Sequence, residues 1–198
     1  GPVVLCLHGF PDNYHTFNGL QPQLAAAGYR GVSAAMRGYE PGSQPSDADY
    51  HAIRMAEDVV AWIEQLGGGP VHLVGHDWGA TIAFATAALA PAMIRSLTVL
   101  SVPHPVRFAE NYAASAAQQA RSQYIIDFQS PDADAAIIAD DCAWLERLWR
   151  MWSPDWDIPA DALATMRLTF QKPGVAAATL GWYRQAFDGE SEAGTATQ

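Results

Sequence analysis

The chain has 198 residues, of which 49% are hydrophobic and 16% charged, a composition typical of a compact folded protein and outside the disordered range. Its 21 acidic and 11 basic residues give a net charge of -10, which repels phosphate backbones and anionic lipid, so we expect no nucleic-acid partner. No run of about 20 apolar residues is present, so no membrane span is expected. The two cysteines, Cys6 and Cys142, lack metal-type spacing and favour a reducing, cytoplasmic setting.

Apolar runs and helical patterns alternate over the first half of the chain. Three runs rich in branched residues have the length of buried strands, at 3–7, 71–75 and 97–102, and a weaker one lies at 29–36. Helical patterns occupy 14–27, 48–67 and 81–94. This alternation predicts an α/β core over residues 1–103, with a mostly parallel sheet and catalytic groups at the carboxyl ends of its strands.

The pattern changes after Pro103, because residues 104–190 carry helical stretches with no convincing strand between them. These stretches are predicted at 106–129, 132–152, 159–171 and 174–187, with prolines between them at 131, 154, 159 and 173. The segment is rich in tryptophan, which must be buried against something apolar. We therefore predict a helical cap over the core, with a substrate cleft between the two.

The strongest chemical signal is VHLVGHDWGA at residues 71–80. A buried strand leads into a turn at Asp77, small residues flank the turn at 75, 79 and 80, and a helix follows. Small residues are needed because the turn is sharp and the helix passes close to the strand. The layout is that of a nucleophile elbow with aspartate in place of serine. The alternative, that Asp77 only caps the helix, is less consistent with this set of neighbours.

Three motifs in this order resemble the epoxide hydrolase family of α/β-hydrolases, the branch related to haloalkane dehalogenases. They are HGFPD (8–12), RGYEPGSQP (37–45) and GHDWGA (75–80). The resemblance implies an α/β-hydrolase fold with a helical cap, and an oxyanion hole formed by the backbone N–H groups of Phe10 and Trp78. It also implies a cis Phe10–Pro11 bond. The supporting residues are expected to be His8, Gly9, Pro11, His76 and His104; His104 either lines the cleft or, as we favour, braces the cap entry.

A carboxylate nucleophile can attack a saturated carbon to give an alkyl-enzyme ester that water then cleaves. Epoxides and alkyl halides both offer such a carbon. The epoxide oxygen needs a donor such as a phenol, and two segments, SQYIIDFQ (122–129) and GWYRQAF (181–187), resemble those that carry the ring-opening tyrosines of the family. The resemblance implies that role for Tyr124 and Tyr183, although aromatic residues on helices are often only core residues.

The leading hypothesis is a cofactor-independent hydrolase, with no metal, that opens a small apolar epoxide to a diol. Dehalogenation is the alternative, although the Asn that dehalogenases often place after HG is Phe10 here. An inactive relative that only binds an apolar ligand is a third. Ester hydrolysis needs an acid and a histidine, which in this family follow the cap, and none of the six histidines stands there. We therefore expect a chain truncated at both ends, with 191–198 beginning a connection to the missing core.

Overall fold

The computed structural model describes residues 1–186 of the chain. Its centre is a four-stranded sheet in the order β2-β1-β3-β4. The strands are β1 Val3–Leu7, β2 Arg30–Ala34, β3 Val71–His76 and β4 Ile94–Leu100. Every pairing is parallel, with Leu5 of β1 in register with Val32 of β2 and with Leu73 of β3. The predicted parallel sheet is confirmed, and the carboxyl ends of the neighbouring strands β1 and β3 lie side by side.

The connection from β1 to β2 differs from the single helix predicted over 14–27. A 3-10 turn, Tyr14–Phe17, is capped by the Asn13 side chain, and a short helix α1, Gln21–Ala26, follows separately. The prediction of one continuous helix was wrong because the Asn-Gly pair at 18–19 and the proline at 22 start a new element there.

Helices α2, Ala52–Gln65, and α3, Trp78–Leu89, cover the sheet. Helix α2 buries Met55, Val59 and Ile63 at helical spacing, which places its apolar side against the strands. Helix α3 ends earlier than the predicted residue 94, because Pro91 opens a 3-10 turn and β4 begins directly after it. The predicted start of β4 at residue 97 was correspondingly three residues late.

Six helices follow β4, and we refer to residues 105–186 as the helical segment. They are α4 Pro105–Ala114, α5 Ala116–Arg121, α6 Gln123–Asp127, α7 Ala133–Trp152, α8 Ala160–Phe170 and α9 Val175–Ala186. The predicted stretch 106–129 is thus divided into three helices, and it breaks where Ser115 adopts an extended backbone and caps α5. The last predicted helical residue, 187, and the predicted connection at 191–198 lie outside the described residues.

Helix α7 contains a break that the sequence pattern does not reveal. Its backbone leaves the helical region at Ala139, and the next three residues, 140–142, have positive φ angles of 49, 56 and 61°. Arg167 of α8 stabilises this break, since its Nε donates to the Asp141 carbonyl at 3.1 Å and its guanidinium contacts Glu146 at 2.8 Å. Arg167 therefore ties α8 to the break itself and to the turn of α7 that follows it.

The helical segment shares one continuous hydrophobic core with the sheet. Trp182 of α9 is fully buried and its Nε1 donates to the Arg37 carbonyl at 3.1 Å, in the loop after β2. Arg37 in turn forms a bidentate ion pair with Asp58 of α2. The loop after β2 is therefore fixed from both sides. No helix within residues 1–186 is long and apolar enough to cross a membrane.

Helix α3 lies so close to β1 that Gly79 has no room for a side chain. A Cβ atom there would overlap the carbonyl groups of Leu7 and His8. We predict that Gly79→Ala lowers the free energy of unfolding by about 3 kcal/mol, because backbone atoms must move apart. Gly19→Ala is the control, since nothing lies within 4 Å of its Cβ position. Urea denaturation of both variants measures the difference, and equal stability would contradict this close approach.

Candidate active site

Asp77 lies at the sharp turn between β3 and α3, with φ 54° and ψ -121°. Such angles are strained for a residue with a side chain and cost about 1–3 kcal/mol. The expected strained backbone is confirmed. Asp77 is the residue before α3 but its side chain makes no helix-capping hydrogen bond; instead its Oδ1 accepts from the Phe10 N–H at 2.8 Å. The turn therefore holds the carboxylate against the loop that follows β1.

Asp77 is half-buried, and loss of water around the carboxylate raises its pKa above the ordinary value, because the charged form is less well solvated. The N–H groups of Phe10 and Trp78 oppose this rise by stabilising the carboxylate. The same two N–H groups are those that the family resemblance implies for an oxyanion hole. Trp78 is the first residue of α3, where free N–H groups and the positive end of the helix dipole coincide.

The loop after β1 approaches the Asp77 turn through Gly9. A Cβ atom at this position would overlap the Asp77 side chain and lie 2.7 Å from the Trp78 nitrogen. Only glycine therefore allows the Phe10 N–H to reach the carboxylate. The Phe10–Pro11 peptide bond is cis, as expected from the resemblance.

His8 is fully buried behind this loop and uses both ring nitrogens. Its Nε2 accepts from the Met36 N–H at 3.1 Å, so the proton of the neutral ring resides on Nδ1, which donates to the Gly9 carbonyl at 3.0 Å. Burial lowers the pKa of His8 from 6.5 to about 4. His8 is therefore a neutral structural element of the loop at physiological pH.

The depressed pKa of His8 predicts a loss of stability in acid. Above pH 6.5 both the folded and the unfolded chain hold His8 neutral; between pH 6.5 and about 4 only the unfolded chain takes up the proton. The free energy of unfolding should therefore fall by about 3 kcal/mol through this residue over that window. Urea denaturation of the wild type and of His8→Gln near pH 7 and near pH 4 tests this. The difference in free energy of unfolding between the wild type and His8→Gln should be smaller near pH 4 than near pH 7. An equal difference at the two pH values would contradict the prediction.

Tyr124 of α6 and Tyr183 of α9 lie together, with ring centroids 5.9 Å apart in an edge-to-face arrangement. Tyr183 also contacts the rings of Phe10 at 5.2 Å and Trp78 at 5.1 Å. Burial, followed by the Asp77 charge, raises the pKa of both phenols above the ordinary value, so both hold their protons. The Tyr183 hydroxyl is buried and has no hydrogen-bond partner within residues 1–186. Two neutral hydroxyl donors therefore lie near one carboxylate.

Asp77, Trp78, Tyr124 and Tyr183 line one cavity of about 240 Å³. Its apolar wall comes from Val102, Pro105, Phe108, Ala109 and Ile125. The cavity thus places the carboxylate and the phenols at a mostly apolar surface that suits a small apolar ligand. Within residues 1–186, no three His, Cys, Asp or Glu side chains converge as metal ligands.

The remaining predicted residues lie around this cavity. His104 does not line it; its Nδ1 accepts from the Val106 N–H at 3.3 Å at the start of α4, and its ring packs on Phe84. This position is the one expected of a brace at the entry to the helical segment. His76 ends β3 and is half-buried. Pro11 and Gly9 form the turn of the loop after β1.

Sequence reasoning missed His51, whose side chain lines the cavity at the start of α2. Its Nδ1 lies 2.8 Å from Asp49 Oδ1. No motif marks this residue, and it lies inside the helical pattern predicted at 48–67, so the sequence offers no signal for it. It is the one histidine of the six that lines the cavity, and all six fall within the described residues.

A family model described as the alpha/beta hydrolase fold matches residues 2–177. The chain therefore belongs to the α/β-hydrolase fold family, and the fold class predicted from its motifs is confirmed.

Comparison with individual proteins identifies a narrower family within the α/β-hydrolases. The chain is 32% identical over 195 residues to epoxide hydrolase 2 of Caenorhabditis elegans, covering 95% of this chain and 54% of that protein. It is 27% identical over 186 residues to the AB hydrolase superfamily protein YfhM of Bacillus subtilis, covering 93% of this chain and 65% of that protein. A solved epoxide hydrolase of Bacillus megaterium with an inhibitor superposes with a TM-score of 0.86 at 28% identity, covering 96% of this chain and 68% of that chain. The predicted resemblance to the epoxide hydrolase family is confirmed. The chain spans only 54% and 65% of the two curated relatives.

Proposed function

We propose that this chain carries the nucleophile and the ring-opening donors of an epoxide hydrolase that converts an epoxide to a diol. The observation that supports this most strongly is the position of the half-buried Asp77 carboxylate, on a strained turn, in one cavity with two neutral phenols. In this proposal residues 1–103 form the hydrolase core, with Asp77 at a nucleophile elbow, and residues 104–190 form the cap. The reaction requires no cofactor.

Ring opening is the first step. An Asp77 oxygen forms a bond to a ring carbon, the bond between that carbon and the ring oxygen breaks, and the oxygen takes up the negative charge. Tyr124 and Tyr183 donate hydrogen bonds to that oxygen and one of them supplies its proton. The unpartnered Tyr183 hydroxyl suits this role, because an incoming oxygen gives a buried donor the partner it lacks.

Ester hydrolysis is the second step. A base takes a proton from water, whose oxygen adds to the ester carbonyl carbon of Asp77, and the resulting oxyanion accepts from the Phe10 and Trp78 N–H groups. Collapse of the oxyanion breaks the bond from that carbon to the alkyl oxygen, which takes the proton and leaves as the diol, and the Asp77 carboxylate is restored. The observed 2.8 Å contact from Phe10 to Oδ1 supports this arrangement, since a donor is already at that oxygen. In the family's chain order the histidine base and its carboxylate follow the cap, and none of the six histidines of this chain stands there.

His8, Gly9, Pro11 and His76 support the two loops, and His104 braces the entry to the cap. The expected substrate is small and apolar, because the cavity wall is apolar. A cytoplasmic location is proposed from the two cysteines, which are buried and unpaired.

The alternatives differ in product. Dehalogenation would release halide and needs N–H donors at the leaving group, whereas this cavity contains phenols. The test is to incubate the whole protein with a small aryl epoxide and with the matching arylalkyl bromide, and to measure diol and bromide. We expect diol from the epoxide at a rate well above bromide release. Faster bromide release would favour a dehalogenase, and ligand binding without either product would favour the binding-only alternative.

A further inference from the structure

The peptide unit that joins Gly9 to Phe10 is hydrogen-bonded on both sides. On one side the Phe10 N–H donates to Asp77 Oδ1 at 2.8 Å. On the other side the Gly9 carbonyl accepts two hydrogen bonds, from the Tyr39 hydroxyl at 3.0 Å and from His8 Nδ1 at 3.0 Å. All of these groups lie within the core, where His8 and Tyr39 are almost fully buried.

A trans peptide unit is rigid and planar, with its C=O and N–H pointing in opposite directions. Two donors that fix the carbonyl therefore also fix the direction of the N–H. Hydrogen bonds to a carbonyl further polarise the amide, which makes its N–H a stronger donor in a low-dielectric interior. The direction and strength of the Phe10 N–H thus depend on groups that lie away from the cavity.

We propose that Tyr39 and His8 are positioning residues, which aim the Phe10 N–H at the Asp77 carboxylate by holding the Gly9 carbonyl from behind. The role of this N–H in turnover rests on the proposed function; its hold on the Asp77 carboxylate does not. Neither residue lines the cavity, and both hydrogen-bond to the Gly9–Phe10 peptide unit.

Tyr39 also connects this peptide unit to the helical segment. Its ring packs against Trp182 of α9 at 5.3 Å and Phe170 of α8 at 6.0 Å. Its edge-to-face contact with His8, at 4.4 Å, keeps the two donors together. Burial raises the pKa of Tyr39 well above the ordinary value, so the hydroxyl remains a donor across the working pH range. The position of the Tyr39 hydroxyl is therefore set by α8 and α9 as well as by the core.

Tyr39→Phe tests the proposal, because it removes the hydroxyl and keeps the ring packing. Tyr50→Phe is the matched control; Tyr50 is also buried and does not line the cavity. The readout is the pKa of the Asp77 carboxyl, followed by carbon NMR of ¹³C-labelled aspartate in the whole protein and assigned with Asp77→Asn. Tyr39→Phe should raise this pKa, since a hydrogen bond that stabilises the carboxylate is weakened.

The other groups that act on Asp77 are present in both variants. They are the neighbouring charges of His76 and Asp12 and the Trp78 N–H. The phenols of Tyr124 and Tyr183 also remain. If the Asp77 pKa rises in Tyr39→Phe and not in Tyr50→Phe, the cause is therefore the lost hydrogen bond to the carbonyl of the Gly9–Phe10 peptide unit. An unchanged Asp77 pKa, or an equal rise in Tyr50→Phe, would overturn the proposal.

Two substitutions of His8 test it independently of Tyr39. Asn places an N–H near the position of Nδ1, whereas Gln places its amide near Nε2 and leaves the Gly9 carbonyl without this donor. Both lose the same ring, so both should lose stability. Only His8→Gln should raise the Asp77 pKa. An equal Asp77 pKa in His8→Asn and His8→Gln would contradict the positioning role of His8.

The kinetic arm measures hydrolysis of the alkyl-enzyme ester in the whole protein after a single turnover with an epoxide. Tyr39→Phe should slow this step about tenfold, less than direct loss of an oxyanion donor would, and should leave the KM for the epoxide nearly unchanged. If the wild type turns over no epoxide, the proposed function fails while the Asp77 titration still decides the positioning role. If the wild type is active and Tyr39→Phe hydrolyses the ester at the same rate, the positioning proposal fails alone.

Discussion

Incubation of the 198-residue chain with a small aryl epoxide is expected to add the mass of one epoxide to the protein, and Asp77→Asn is expected to add none. Ring opening needs only the carboxylate and the two phenols, and all three lie in one cavity of this chain. An amide is a far poorer nucleophile than a carboxylate, so the loss in alkylation rate should exceed about 10³-fold. Intact mass spectrometry gives the adduct, and peptide mapping gives its position.

The adduct on the 198-residue chain should persist, because none of its six histidines stands after the cap, where the family's hydrolytic base is expected. A matched control is Asp12→Asn, which removes a neighbouring carboxylate that does not line the cavity and should keep the adduct. An adduct that forms equally in Asp77→Asn would contradict the assignment of the nucleophile. Steady diol production by this chain alone would contradict the division between the two steps, and would direct attention to His51 beside the cavity.

The sheet could be predicted from sequence because each strand is a short apolar run that is buried by its neighbours. Leu5, Leu7 and Leu73 are fully buried, as expected for strands of a parallel sheet with both faces covered. The motif around Asp77 was readable for a related reason. Its glycines are required by backbone contacts, such as that of Gly79 with β1, so the sequence records the geometry directly.

The helix breaks were less predictable because they depend on tertiary contacts. Nothing in the apolar spacing of α7 marks residues 140–142, which are stabilised by Arg167 from another helix. The region 106–129 has polar and small residues throughout, so its division at Ser115 depends on a cap that competes with a continuous helix. Local propensity alone does not decide between such alternatives.

The site shows the same division. Asp77 and Phe10 lie in motifs whose spacing fixes them on the turn and the loop, while Tyr124 and Tyr183 could be chosen only through the family resemblance. His51 carries no signal of its own and reaches the cavity from the start of α2. Tyr39 lies in the RGYEPGSQP motif, but the motif does not reveal that its hydroxyl donates to a backbone carbonyl 30 residues away in sequence. Residues that act through the backbone become visible only when the hydrogen bonds are known.

Replacement of both phenols, as Tyr124→Phe with Tyr183→Phe, is expected to slow alkylation of Asp77 by an epoxide about 10³-fold or more, and each single change about 10²-fold. The reason is that the epoxide oxygen stays attached to the product, so the negative charge that develops on it must be stabilised by a hydrogen-bond donor. The rings remain in place in these variants, so the edge-to-face packing of Tyr183 on Phe10 and Trp78 should be kept. Rapid quenching followed by intact mass spectrometry gives the alkylation rates.

An alkyl bromide provides the control within the same variants. A departing bromide leaves the substrate and is stabilised by N–H donors rather than by phenols, so its reaction with Asp77 should change little when both phenols are removed. Tyr29→Phe, at an exposed ring just before β2 that does not line the cavity, should leave both reactions unchanged. If the double variant slowed the epoxide and the bromide equally, the phenols would be acting through the shape of the cavity. That result would remove the argument that distinguishes epoxide opening from dehalogenation at this site.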